Sequence, residues 1–335
     1  MIKIEEIFYY LPNEPIKNKS IGLKNPSWDM EVLFDKTGVN TRYYANENET
    51  ALDLSIKACD ELFKNRPEIR DSIDGLIFCT QSNDYIMPPN STILHGVLNL
   101  SEDVFSYDFN LACSGFVYGL SMAHGLIHGN IAKNILLINA DTYSKYINKK
   151  DRSTKVLFGD AASVSYITKS TNKKGIIAFR SSTSGKNHKK FIILAGGARM
   201  PKSKETSLVN VDKSGNERTA ENIHMDGMGI FAFVNSKVPL QIRTILKQNN
   251  LDIDDINLFI FHQASKLALE SLTKILKIDK TKVFTNISSV GNTVSASIPI
   301  ALKDAMYEGK INEGDKVLCS GFGVGLSWST CIIQY

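Results

Sequence analysis

Three residues in distant segments have the types needed for thioester chemistry. Cys113, in SYDFNLACSGFVYGL, stands where a strand-like apolar stretch ends and a long apolar helix should begin. Unpaired N–H groups and the positive end of a helix dipole favour a thiolate at such a junction, so a nucleophile is expected there. His262, in FIFHQAS, closes a strongly apolar run, where a strand should stop and a loop begin. Asn292 follows Gly291 in SSVGNTVSASIPIAL, just ahead of a helix. A thiol, an imidazole and a carboxamide together can form an acyl thioester and then consume it. Taken singly, each has a plainer explanation: a buried thiol filling the core, a histidine satisfied by its loop, an asparagine capping a helix.

The elements that must position them alternate. Residues 75–80, 134–140, 161–168, 257–263, 282–287 and 315–322 read as buried strands, and the first residues, MIKIEEIFYY, as an opening strand. Residues 49–64, 90–99, 115–128, 228–249, 265–277 and 293–308 read as helices. This predicts an α/β fold with helices covering both faces of its sheets. A faint internal duplication runs through it. GLIFCTQSND and LFIFHQASKL each lead into a helix, and FNLACSGF echoes TNISSVGN. Two halves are expected, 1–172 with the cysteine and 173–335 with the histidine and asparagine, joined at the polar stretch KSTNKKG. Residues 184–222, rich in Ser, Lys, Asn and Gly, read as a long surface excursion that could cap a pocket. For 202–219 a disordered insertion is the alternative.

Composition narrows the function classes. The chain has 335 residues, 43% hydrophobic and 22% charged, with a net charge of +4. That balance is ordinary for a globular protein and leaves no concentrated basic character to suggest nucleic acid. A local basic patch for an acidic protein partner is compatible with it. No apolar run approaches a membrane span, and the acidic N-terminus does not resemble a signal peptide. The cysteines, Cys59, Cys79, Cys113, Cys319 and Cys331, are widely spread without metal-like spacing, so no metal is expected. Their odd number points to free thiols in a reducing, cytoplasmic compartment. GFGVGLSW (321–328) lacks the third glycine and the following helix of a dinucleotide loop. It reads instead as a glycine-lined turn that can bring a backbone N–H to a reacting carbonyl.

Taken in order, DKTGVNTRYYA, LACSGF, DRSTKVLFGDAAS, HQAS, GNTVSASIP and GFGVGLSW resemble the thiolase-fold condensing enzymes, most closely β-ketoacyl-acyl-carrier-protein synthase III, over essentially the whole chain. The resemblance implies a duplicated αβαβα layered fold with two pseudo-symmetric halves. It implies a decarboxylating Claisen condensation: Cys113 takes the acyl group from a thioester, and His262 and Asn292 stabilise the enolate of a malonyl thioester. The N–H groups of Cys113 and Val324 would bind the tetrahedral oxyanion. Met87, reaching in from a second subunit, and Phe322 would line the acyl pocket. Lys36, Arg152, Lys266 and Lys274 would hold coenzyme A or acyl carrier protein. The family needs no cofactor beyond its acyl-CoA, acyl-carrier and malonyl-carrier substrates, and a homodimer is implied.

Several positions depart from the family pattern. Val324 stands where well-known members have glycine, Val32 where they have tryptophan, and Leu267 and Ala232 where they have basic residues. These departures point to a divergent paralogue, with a polyketide, a modified glycan or a signalling molecule among the products it could serve. Two other outcomes stay open on the residues. One is simple acyl transfer from Cys113 to an alcohol or amine, which would need Asn292 less. The other is a partner subunit without catalysis of its own, which would usually lack the cysteine.

Overall fold

The computed structural model describes residues 1–12, 14–172 and 174–335. Lys173, the first residue of the expected second half, lies outside them. Two sheets organise the chain. The first holds the strands Ile2–Tyr10, Ala161–Lys169, Asn134–Asp141, Gly75–Cys79 and Phe105–Phe109, in that spatial order. The second repeats the order with Gly175–Thr183, Ser327–Gln334, Lys316–Gly323 and Leu258–Phe261.

In each sheet, in the order given, the first two neighbouring pairs are antiparallel and the remaining pairs parallel. Two of the parallel strands, GLIFC and LFIF, are continuous, fully buried apolar runs, as strands covered on both faces tend to be.

Two helices lie between the sheets. Gly115–His128 and Ser297–Tyr307 each pack against strands of both. Most residues on Gly115–His128 are apolar or small, which fits a helix buried through its first turns and reaching solvent only toward its end, at Gly125 and His128. Ala51–Asn65 and Asn90–Val97 cover the outer face of the first sheet, and Gly227–Gln248 and Lys266–Leu276 that of the second. The result is the five-layer αβαβα thiolase-like architecture expected from the sequence. No helix among the described residues is long and apolar enough to cross a membrane.

Two expectations are corrected. Residues 282–287 do not form a strand. Asp279 caps a short 3₁₀ turn at Lys280–Lys282, only Val283 bridges Phe259, and the chain turns into the helix Ile287–Val290. The polar Lys280–Lys282 and Asn286 are bound elsewhere, Asn286 by Gln263 and Asp304, so a ladder cannot extend. The excursion is also not a disordered insertion at 202–219. It folds back as a hairpin, Asn210–Val211 against Glu217–Arg218.

Arg218 fastens this hairpin, pairing with Asp212 and with the fully buried Asp151 at 3.3 Å. The Arg218–Asp151 contact is one of charge more than of a well-aligned hydrogen bond, since Asp151 Oδ2 has no hydrogen-bond donor.

Candidate active site

Cys113 occupies the turn between the strand Phe105–Phe109 and the helix Gly115–His128, at the sheet end where a parallel strand gives way to its helix. Strand Lys316–Gly323 presses on it from the other half of the chain. Gly321 and Gly323 are two residues apart and so share a face of that strand. A Cβ on Gly321 would sit 2.5 Å from the Cys113 carbonyl oxygen, and one on Gly323 would sit 3.0 Å from Cys113 Sγ. The glycines of GFG are thus required by close approach to the cysteine.

Burial bears on the state of the thiol. Cys113 is 3% exposed. Desolvation, with the Asp141 carboxylate adding to it, pushes the thiol up, against the pull of the cysteine's own N–H. Burial therefore works against the resting thiolate expected at this helix start.

His262 follows the strand Leu258–Phe261, and its N–H donates to Ser320 O at 2.9 Å. The ring stands edge-on to Phe322 at 5.6 Å and is 2% exposed. Burial pushes its pKa down to about 3, so the imidazole is neutral. Its Nδ1 lies 2.6 Å from Ser297 Oγ.

Asn292 sits on a turn clamped to the first half, its N–H donating to Leu157 O and its carbonyl accepting from Gly159 N–H. The turn needs Gly291, at φ 74°, where a Cβ would also strike Arg42. Asn292 Oδ1 accepts from Val294 N–H at 3.0 Å, the local capping role its position suggests. That leaves Nδ2 free to lie 3.4 Å from His262 Nε2 and 3.3 Å from Ala264 O.

Cys113, His262 and Asn292 line one cavity of about 150 Å³, closed by Phe158, Phe191 and Phe322. This cavity shares Leu157, Met225, Gly227, Phe231 and Ser265 with a much larger antechamber of about 1540 Å³. The excursion forms one side of that antechamber and brings Lys186, Lys189 and Lys190 to it. Lys36 and Arg152 form another part of the wall, and Arg152 donates to Ser214 O of the hairpin at 2.9 Å.

The other predicted binding residues lie elsewhere. Lys266 does not line the antechamber; it stands 4.0 Å from Asp35. Lys274 is two helical turns further along Lys266–Leu276, away from both cavities. Met87 is 78% exposed beside Tyr85 and Ile86 and takes no part in its own chain's cavity. Val324 follows Gly323 directly. Among the described residues neither its N–H nor that of Cys113 donates to a backbone carbonyl.

The sequence reading missed Gly323, Ser297 and Asp141. Asp141, buried with its pKa pushed up to about 7 by desolvation, accepts from Gln81 N–H at 2.8 Å and from the Ser295 hydroxyl at 2.5 Å. It ties the turn after Asn292 to the first half of the chain. Its only sequence signal was an acid ending an apolar strand. No cluster of three or more metal-ligating side chains occurs among the described residues.

Comparison with known proteins places this geometry. A family model described as 3-oxoacyl-[acyl-carrier-protein] synthase III matches residues 107–185, and one for the C-terminal part of the same enzyme matches residues 246–335. The chain is 33% identical over 326 residues to a β-ketoacyl-[acyl-carrier-protein] synthase III of Clostridioides difficile, covering 97% of this chain and 96% of that protein. It is 31% identical over 343 residues to the corresponding protein of Fusobacterium nucleatum, covering 100% and 98%. A 2.1 Å crystal structure of a 3-oxoacyl-(acyl-carrier-protein) synthase III superposes with a TM-score of 0.97 at 35% identity, covering 100% of this chain and 99% of that one. That of a 3-oxoacyl-(acyl-carrier protein) synthase from Burkholderia xenovorans superposes with a TM-score of 0.91 at 30% identity, covering 99% and 93%. With fold, motif order and full-length similarity in agreement, the chain belongs to the β-ketoacyl-[acyl-carrier-protein] synthase III family of thiolase-fold condensing enzymes.

Proposed function

We propose that this protein condenses an acyl group held on Cys113 with a malonyl thioester. The Cys113 sulfur attacks the donor's thioester carbonyl, the bond to the carrier sulfur breaks, and the thiol proton ends on the departing carrier thiol. A malonyl thioester then enters through the antechamber. Its carboxylate leaves as carbon dioxide, and the electron pair becomes an enolate whose oxygen accepts from His262 Nε2–H and Asn292 Nδ2–H. The enolate carbon attacks the acyl-Cys113 carbonyl. The resulting oxyanion is bound by the N–H groups of Cys113 and Val324, of which one donor is typically worth about 3 kcal/mol. Collapse breaks the C–S bond and releases the β-ketoacyl thioester, and the freed sulfur takes up a proton.

The observation that carries the reading is the shared cavity, which Cys113 lines together with a neutral imidazole and a carboxamide whose nitrogens lie 3.4 Å apart. Transfer to an alcohol or amine would have less need of Asn292 beside His262, so condensation is favoured. Lys36 and Arg152, with Lys186, Lys189 and Lys190, suit the phosphates of coenzyme A or of a carrier-protein arm. Lys266 and Lys274, outside the antechamber, suit the acidic surface of a carrier protein.

The exposed Tyr85–Ile86–Met87 loop supports a homodimer in which Met87 of one subunit closes the acyl pocket of the other alongside Phe322. The repeated sheet order supports two duplicated halves, 1–172 and 173–335. Five free thiols support a cytoplasmic setting. The absence of an indole at Val32 supports a divergent paralogue with its own donor.

Intact-protein mass spectrometry tests the proposal. Acyl-CoA and acyl-carrier donors should leave an adduct on Cys113, lost in Cys113→Ser, and a malonyl thioester should discharge it with carbon dioxide release. No adduct from any donor would favour a non-catalytic partner subunit. Discharge by an alcohol or amine, with no carbon dioxide, would favour simple acyl transfer.

A further inference from the structure

We propose that Ser297 is a positioning residue that holds His262 in the tautomer with its proton on Nε2, the nitrogen facing the cavity. The inference rests on the condensing role proposed above, which asks His262 to donate from Nε2.

The Ser297 hydroxyl lies 2.6 Å from His262 Nδ1 and is buried. Among the described residues it has no other hydrogen-bond partner. A neutral imidazole carries one proton, and burial keeps this one neutral. If the proton were on Nδ1, the ring would donate to Ser297 Oγ and the buried hydroxyl hydrogen would have no acceptor, an arrangement folded proteins avoid. With Ser297 donating to Nδ1, the hydroxyl is satisfied and the ring proton must sit on Nε2. There it joins Asn292 Nδ2–H, 3.4 Å away, so two donors converge on one substrate oxygen.

The placement of Ser297 strengthens the argument. It opens the helix Ser297–Tyr307, directly after the turn that carries Asn292. Ser295 on the same turn is anchored by Asp141, through its hydroxyl at 2.5 Å and its N–H at 3.3 Å. One anchored turn therefore supplies the carboxamide and, through Ser297, sets the proton of the imidazole beside it.

The test begins on the unaltered protein. In ¹⁵N-histidine-labelled protein, with His262 assigned by comparison with His262→Gln, long-range proton–nitrogen correlation should show the Nε2–H tautomer. An Nδ1–H tautomer in the wild type overturns the proposal whatever the enzyme's activity. Ser297→Ala should lose the preference and slow malonyl-thioester decarboxylation by roughly 10- to 100-fold in kcat, part of what a positioned proton-bearing group contributes. KM and the rate of Cys113 acylation should stay within about threefold, and Ser297→Thr should recover most of the rate.

A Ser297→Ala protein that keeps both the Nε2–H tautomer and full decarboxylation also overturns the proposal. Should the wild type show Nε2–H yet form no acyl-Cys113, the condensing function fails while the assignment to Ser297 stands.

Discussion

Asn292 Nδ2 lies 3.4 Å from His262 Nε2, although the two residues are 30 positions apart and rise from different elements. The histidine ends a strand, and the asparagine rides a turn pinned to Leu157 and Gly159 of the other sheet's half. Two donors at that spacing can bind one oxygen. Asn292→Ala should therefore still accept an acyl group on Cys113 but decarboxylate malonyl thioester about 10²- to 10³-fold more slowly, the usual loss when one donor to a developing oxyanion is removed. Single-turnover acylation and carbon dioxide release, measured separately, check this. Equal slowing of both steps would remove the asparagine from the role given to it.

Gly323 is close enough to Cys113 that a methyl group would sit 3.0 Å from Sγ and from its Cβ. Gly323→Ala must push the thiol or its helix start aside. Acylation should slow by at least about tenfold, since displacements near 1 Å can cost 10²-fold, while circular dichroism stays that of the wild type. Normal acylation of a folded variant would mean the cysteine can yield without cost.

Protonation of His262 governs a pH effect of known sign. Its pKa in the folded protein is pushed down to about 3, below the ordinary value near 6.5. The stability it contributes is full above about pH 6.5 and is lost as the pH falls toward 3, with a slope of at most about 1.4 kcal/mol per pH unit. Asp141, raised to about 7, acts in the opposite sense, and its contribution is lost as the pH rises toward that value. The difference in thermal midpoint between wild type and His262→Gln should thus change in favour of the variant on acidification. Decarboxylation by the wild type should show no histidine inflection between about pH 7 and about pH 5. An inflection near pH 6.5 would mean that the imidazole is not desolvated in the working enzyme.

Arg218 holds the hairpin of the excursion against the antechamber through Asp151, whose carboxylate is fully buried. Arg218→Ala leaves that charge unpaired and should cost about 1–3 kcal/mol of stability. Trypsin should then cut faster at the exposed Lys204 and Lys213, and the KM for a coenzyme A-linked donor should rise with little change in kcat. Unchanged proteolysis and KM would show that the hairpin is held by other contacts.

Much of the architecture was legible in the sequence because buried strands and buried helices leave strong apolar patterns. GLIFC, LFIF and the helix Gly115–His128 were placed to within a residue or two. Residues 282–287 misled because an apolar run looks alike whether it joins a ladder or only touches one; the capping of Asp279 and the partners of Asn286 are tertiary facts.

By itself the sequence determined which side chains could carry the chemistry and in what order they occur, since thiol, imidazole and carboxamide announce themselves by type and motif. The folded chain alone decided their states and supports. Desolvation sums over every atom packed around a group, so the dry thiol of Cys113 and the neutral ring of His262 could not be read from neighbours in sequence. Contacts such as Gly323 on Cys113, Ser297 on His262 and Asp141 on Ser295 join residues 35 to 210 positions apart, and only the packing of the two sheets around the central helices brings them together.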